Sequence, residues 1–187
     1  MQRYRFFVLA AVVLAAGALT TTAAAGDRIC RGTIGAVTVD GNVRVPAGAR
    51  CTLNGTRVEG NVNVSRGGTL VAARVRIDGN VQAQRARRVV VTTGAAVDGD
   101  VQVERGGSVS VLGSRIEGNI QLKANRAAIV VNRNVVGGDI QLFSNRARSQ
   151  VRSNRVDGNL QCKSNRPAPV GGGNVVEGNK EDQCRRL

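Results

Sequence analysis

Val58-Glu59-Gly60-Asn61-Val62 returns 19 residues later as Ile77-Asp78-Gly79-Asn80-Val81, and variants of this string recur along most of the chain. Eight copies begin at Val39, Val58, Ile77, Val97, Ile116, Val136, Val156 and Val176, always 19 or 20 residues apart. A unit of that length is too short for a helix-turn-helix repeat or a propeller blade, and the leucine and asparagine framework of a leucine-rich repeat is missing. Within each unit apolar residues alternate with polar ones, as in Val43-Arg44-Val45, Val62-Asn63-Val64 and Val109-Ser110-Val111. Valine, isoleucine and alanine dominate, and glycine marks the corners, which is the signature of short strands. Each repeat therefore reads as one coil of a parallel β-solenoid. The expected fold is all-β, a parallel β-helix of about eight coils and, at about 4.8 Å per coil, roughly 38 Å long. A left-handed hexapeptide helix would show a period of six or 18, so the right-handed form is expected.

Stacked coils bring equivalent positions into columns. Asn42, Asn61, Asn80, Asp100, Asn119, Asp139, Asn159 and Asn179 form one, each directly after a glycine. The Gly-Asn pair is expected to supply the positive φ that a corner needs, and the amides to hydrogen-bond along the rod. Gln82, Gln102, Gln121, Gln141 and Gln161 form a second column, read as architectural. Asp40, Glu59, Asp78, Asp98, Glu117, Asp157 and Glu177 form an acidic one. Arg57, Arg76, Arg115 and Arg155 stand two residues before Glu59, Asp78, Glu117 and Asp157. Residues i and i+2 of a strand share a face, so these carboxylates are expected to neutralise arginines rather than to hold calcium.

The N-terminus has the grammar of a signal peptide: basic Met1-Gln2-Arg3-Tyr4-Arg5, an apolar run from Phe6 to Leu19, then small residues up to Ala25. Cleavage after Ala25 leaves residues 26–187 as one solenoid domain of 187 − 25 = 162 residues, with no further transmembrane segment. Losing Arg3 and Arg5 leaves 25 basic residues against 13 acidic ones, a net charge of +12. The domain has no histidine or tryptophan, and Phe143 is its one aromatic residue. Histidine-based catalysis and metal binding are thereby excluded, as is a platform of aromatic rings for sugars or single-stranded nucleic acid. No cofactor is expected.

Four cysteines in a secreted chain suggest two disulfides and allow three connectivities. Cys30 and Cys51 are 21 residues apart and Cys162 and Cys184 are 22 apart, about one coil each, which brings their Cα atoms within bonding reach. Cross pairing would span more than five coils, roughly 27 Å. The expected bonds are Cys30–Cys51 and Cys162–Cys184, one at each end. With the charged tail Lys180 to Arg186, they read as caps against end-to-end growth.

The candidate binding surface is basic. Asn125-Arg126, Asn145-Arg146 and Asn165-Arg166 recur at 20-residue spacing, with Lys123 and Lys163 nearby and no acid in the same segments. Stacking puts Arg126, Arg146 and Arg166 on one edge, where like charges repel unless an anion lies between them. Arg133, Arg148 and Arg152 are expected to thicken the same half, and Arg85, Arg87 and Arg88 to make a smaller cluster. Arginine suits bidentate contacts to phosphate and carboxylate, so the expected partner is an anionic polysaccharide or the phosphates of lipopolysaccharide. No motif for reading a specific nucleic acid is present.

Two alternatives follow from the coil architecture. Polysaccharide-acting enzymes are built on long right-handed β-helices, but they carry long inserted loops, and here the spacing is nearly constant; catalysis is not expected. The Val-rich coils with recurrent Gly-Asn-Val and Gly-Asn-Ile, over about residues 34 to 180, resemble the bactofilins. That resemblance implies a right-handed β-helix that self-assembles as a structural protein. Bactofilins, however, are cytoplasmic, typically lack a cleaved signal and grow through apolar ends. The expected function is that of a secreted or periplasmic, non-catalytic structural or binding protein of the bacterial envelope or surface.

Overall fold

A computed structural model describes residues 26–187; the expected signal peptide, residues 1–25, lies outside the described residues. The described chain is entirely β, in three parallel sheets. Sheet A has nine strands, from Arg28–Ile29 to Lys180–Asp182. Sheet B has eight, from Thr33–Ile34 to Val170–Gly172, and sheet C eight, from Thr38–Val39 to Val175–Val176. Each strand pairs with the third strand before it and the third after it, so the backbone winds A to B to C through about eight turns. The β-solenoid anticipated from the repeat is the fold.

The alternation of apolar and polar residues sets which side chains face the axis. In sheet A, Val62, Val81, Val101, Ile120, Ile140 and Leu160 are in register, one above the other. In sheet C, Val58, Ile77, Val97, Ile116, Val136 and Val156 do the same. All are fully buried in one continuous core. Burial of each Val, Ile or Leu contributes about 1.5–3 kcal/mol relative to exposure. The column geometry repeats that gain at every coil.

The glycines of the repeat act differently from the expectation. Of the eight Gly-Asn or Gly-Asp corners, only Gly41 has positive φ, at 142°. The others are required for close approach: a Cβ on Gly99 would lie 2.4 Å from Asn80 Oδ1, and one on Gly118 would lie 2.4 Å from Asp100 Oδ1. The side chain of one coil fills the space where the next coil lacks a Cβ. The left-handed turns sit elsewhere, and about half of them are not glycine. At the A–B corner these are Arg85, Arg105, Ala124, Ser144 and Ser164, with φ of 53–58°. At the B–C corner Arg74, Arg133 and Ser153 take the same conformation.

The Asn42 column forms a ladder as expected. Each member's backbone N–H donates to the side-chain oxygen one coil earlier, from Asn61 to Asn42 (2.8 Å) through to Asn179 to Asn159 (2.9 Å). At its start, Asn42 Nδ2 donates to Asp27 Oδ1 at 3.0 Å, and Arg44 pairs with the same carboxylate. The Asn42 hydrogen bond and then the Arg44 charge hold the Asp27 carboxyl below its usual range.

Two further ladders, fully inside, were not anticipated. Asn125, Asn145 and Asn165 form one, and Asn134, Asn154 and Asn174 the other. Each amide donates to a strand carbonyl and, except for the terminal Asn174, also to the next amide oxygen, as Asn145 Nδ2 does to Leu122 O and to Asn165 Oδ1, both at 2.9 Å. Spacing of 20 residues was visible in the sequence, but an asparagine beside a corner reads equally well as a surface turn.

The disulfides are Cys30–Cys51 and Cys162–Cys184, with Cα separations of 5.4 and 5.2 Å. At the C-terminal end the Gln183 carboxamide continues the Asn125 ladder, accepting from Asn165 N (2.9 Å) and Nδ2 (3.1 Å). Cys184 and Leu187 close the core behind it. This cap serves sheet A and the axis, while Val170 and Val175, on the last strands of sheets B and C, are exposed.

Candidate functional site

The three corners of the solenoid carry different charge. The C–A corner holds the acidic column together with its arginines. Arg57 Nη2 reaches Asp78 Oδ2 in the next coil at 2.6 Å, while its Nε lies 3.8 Å from Glu59 in its own coil. Arg76 bridges Asp78 (3.3 Å) and Asp98 (3.1 Å) in the same way. Arg155 lies between Asp157 and Glu177, and Arg115 bonds Glu117, a contact that raises the arginine's pKa. Arg57, Arg76 and Arg155 thus each serve two coils, and Arg115 its own. Where the arginine position is Val135, the acid position is Gly137, so both charges are lost together. The expected neutralisation is what the side chains do.

The A–B corner is the opposite case. Arg126 N donates to Gly106 O (2.9 Å), Arg146 N to Asn125 O (2.8 Å) and Arg166 N to Asn145 O (2.8 Å). These bonds stack Arg126, Arg146 and Arg166 one coil apart, about 4.8 Å, and all three are exposed. The buried Asn125, Asn145 and Asn165 beside them lock the backbone that presents each arginine. Arg148 belongs to this corner too. Arg133 and Arg152 belong to the same half of the rod but lie at the B–C corner, on the far side of sheet B.

The Arg85, Arg87 and Arg88 group is no separate cluster. It lies on the same A–B corner four coils nearer the N-terminus than Arg166, joined by Arg66 and Arg105. Gly67 N bonds Arg85 O (2.8 Å) and Arg85 N bonds Glu104 O (2.9 Å), which places these residues in successive coils. Six successive turns of this corner carry nine arginines and two lysines against a single carboxylate, Glu104. Arg66 and Arg105 were missed because they lack the Asn-Arg signature. Counting from the amide column finds them: Arg66, Arg85 and Arg105 each follow Asn63, Gln82 and Gln102 by three residues.

Lys123 and Lys163 flank this corner at the ends of their sheet A strands. Phe143 stands in register between them, and Glu104 stands in register on the other side of Lys123. An acid therefore does adjoin this lysine, contrary to the segment-by-segment reading, and Glu104 also pairs with Arg105 at 3.3 Å.

The outer face of sheet A, beside the arginine corner, is lined by the amide column Asn63, Gln82, Gln102, Gln121, Gln141 and Gln161 in unbroken register. An open groove of about 640 Å³ lies over its first four members. Compared with known proteins, the chain matches no family model, and no curated protein or solved structure is significantly similar to it.

Proposed function

We propose that this protein is a non-catalytic structural and binding component of the bacterial envelope or surface that holds extended polyanions along its A–B corner. The observation that supports this most directly is the segregation of charge. From Glu59 onward the acidic side chains of the C–A corner are engaged by arginines, while the A–B corner presents eleven cations in six turns with one acid among them. A row of guanidinium groups one coil apart is held by strand pairing, so its repulsion is not relieved by fraying. A polymer bearing phosphates or carboxylates relieves it and releases counterions as it binds. The two disulfides fit an oxidising compartment outside the cytoplasm, where such polymers are abundant.

The test is titration with an anionic polysaccharide across a salt series. Replacing Arg126, Arg146 and Arg166 together by serine is expected to weaken binding about a hundredfold at low salt, at about 1 kcal/mol per surface arginine. The salt dependence should become shallower as well. Unchanged affinity and slope in the triple variant would remove the arginine corner as the site.

A further inference from the structure

We infer that the groove on sheet A is a recognition site for the sugar hydroxyls of an acidic polysaccharide, whose anionic groups lie on the adjoining arginine corner; this rests on the polyanion reading above. The groove floor is the amide column, and its volume of about 640 Å³ is that of a ligand site. Arg66, Arg85 and Lys123 stand on its rim, so charge and amides meet along one line.

The hydrogen bonds of the amide column divide it in two. Towards the C-terminus the column satisfies itself: Gln141 Nε2 donates to Gln161 Oε1 (2.9 Å), and Gln161 Nε2 to Glu181 Oε2 (3.1 Å). Over the groove it does not. Gln102 bonds Asp100 at 2.9 Å, but among the described residues the side chains of Asn63, Gln82, Gln84 and Gln121 make no hydrogen bond. A ladder that served only to tie coils together would be closed along its whole length. Here it is open where the surface is concave and closed beyond it.

A primary amide offers two donors and two acceptor lone pairs, which matches a hydroxyl that both gives and takes a hydrogen bond. Repeated at about 4.8 Å along the rod, the amides keep close to the rise of one sugar in an extended chain. No aromatic side chain lines the groove, so nucleic-acid bases have nothing to stack on. A polyanion without hydroxyls would use the arginines alone.

The experiment compares polygalacturonate with poly-glutamate of similar length and charge density, and with single-stranded DNA, on the purified protein. The uronate polymer is expected to bind about tenfold more tightly than poly-glutamate. Gln82→Met with Gln121→Met keeps the side-chain volume and removes two of the four free amides, those of the glutamine column itself. It should abolish that preference while leaving poly-glutamate affinity unchanged. Gln141→Met with Gln161→Met, outside the groove, should leave the preference intact; its loss there would show a general effect of the ladder and overturn the inference. Equal affinity for the two polymers in the native protein, or tighter binding of DNA, overturns the groove and leaves the arginine corner standing. Binding of none of the three polymers at low salt overturns both.

Discussion

Asn61 and Asn145 stand in ladders that look alike, yet the two positions ask different things of the side chain. Asn145 is fully buried, and its Nδ2 must satisfy the Leu122 carbonyl as well as Asn165 Oδ1. Its Oδ1 in turn accepts from Asn125 N and Nδ2, at 2.9 and 3.1 Å. Only an amide fills both roles. In the half-exposed outer ladder the oxygen does the essential work, accepting from the N–H of the next coil, and aspartate stands in for asparagine at Asp100 and Asp139. Their second oxygens accept from Gln102 and Gln141. Asn145→Asp should therefore cost about 3 kcal/mol or more, since it sets a carboxylate oxygen against the Leu122 carbonyl and Asn165 Oδ1 with no proton between them and buries a charge. Asn61→Asp should stay within about 1 kcal/mol. Urea unfolding of the two variants measures this, and equal losses would mean that the inner ladders do not depend on an amide donor.

At the scale of strands and corners, glycine has two separate uses that one letter cannot distinguish. At Gly118 a Cβ would meet Asp100 Oδ1 at 2.4 Å and the Gly99 carbonyl carbon at 2.8 Å, and the close spacing of coils leaves no way to give. Gly113 has φ of 54° but open space around its Cβ position, and the equivalent corner of later coils takes Arg133 and Ser153. Gly118→Ala is expected to destabilise by about 1–3 kcal/mol through overpacking. Gly113→Ala should cost about 1 kcal/mol from its left-handed backbone alone. Thermal melts of the pair should rank them in that order; the reverse ranking would assign the Gly-Asn corner to torsion rather than to contact. The recurrence of these glycines was legible along the chain, but the reason for them was not. The atom that excludes a Cβ belongs to a residue about one coil away.

The whole molecule is a stack in which each coil touches only its neighbours, so stability is local and the ends are the weak points. The disulfides lie there, closing segments of 21 and 22 residues, and each should contribute about 3 kcal/mol. Reduction should accelerate amide exchange in the first two and last two coils and leave residues 81–140 protected. Uniform acceleration along the rod would contradict the nearest-neighbour picture.

The sequence by itself determined the coil length, the number of turns, the apolar columns, the outer asparagine ladder and both disulfide pairs. All of these depend only on which residues stand one period apart, and stacking converts a period directly into contact. What the tertiary structure alone decided is where each column faces around the axis. Arg85 and Arg146 proved to share an edge, Arg133 and Arg152 to lie on another, and Asn134 and Asn154 to point inward. Facing depends on the backbone torsions at the corners, such as the left-handed turns at Arg85, Ala124 and Ser153, and those torsions leave no mark on the spacing of residues.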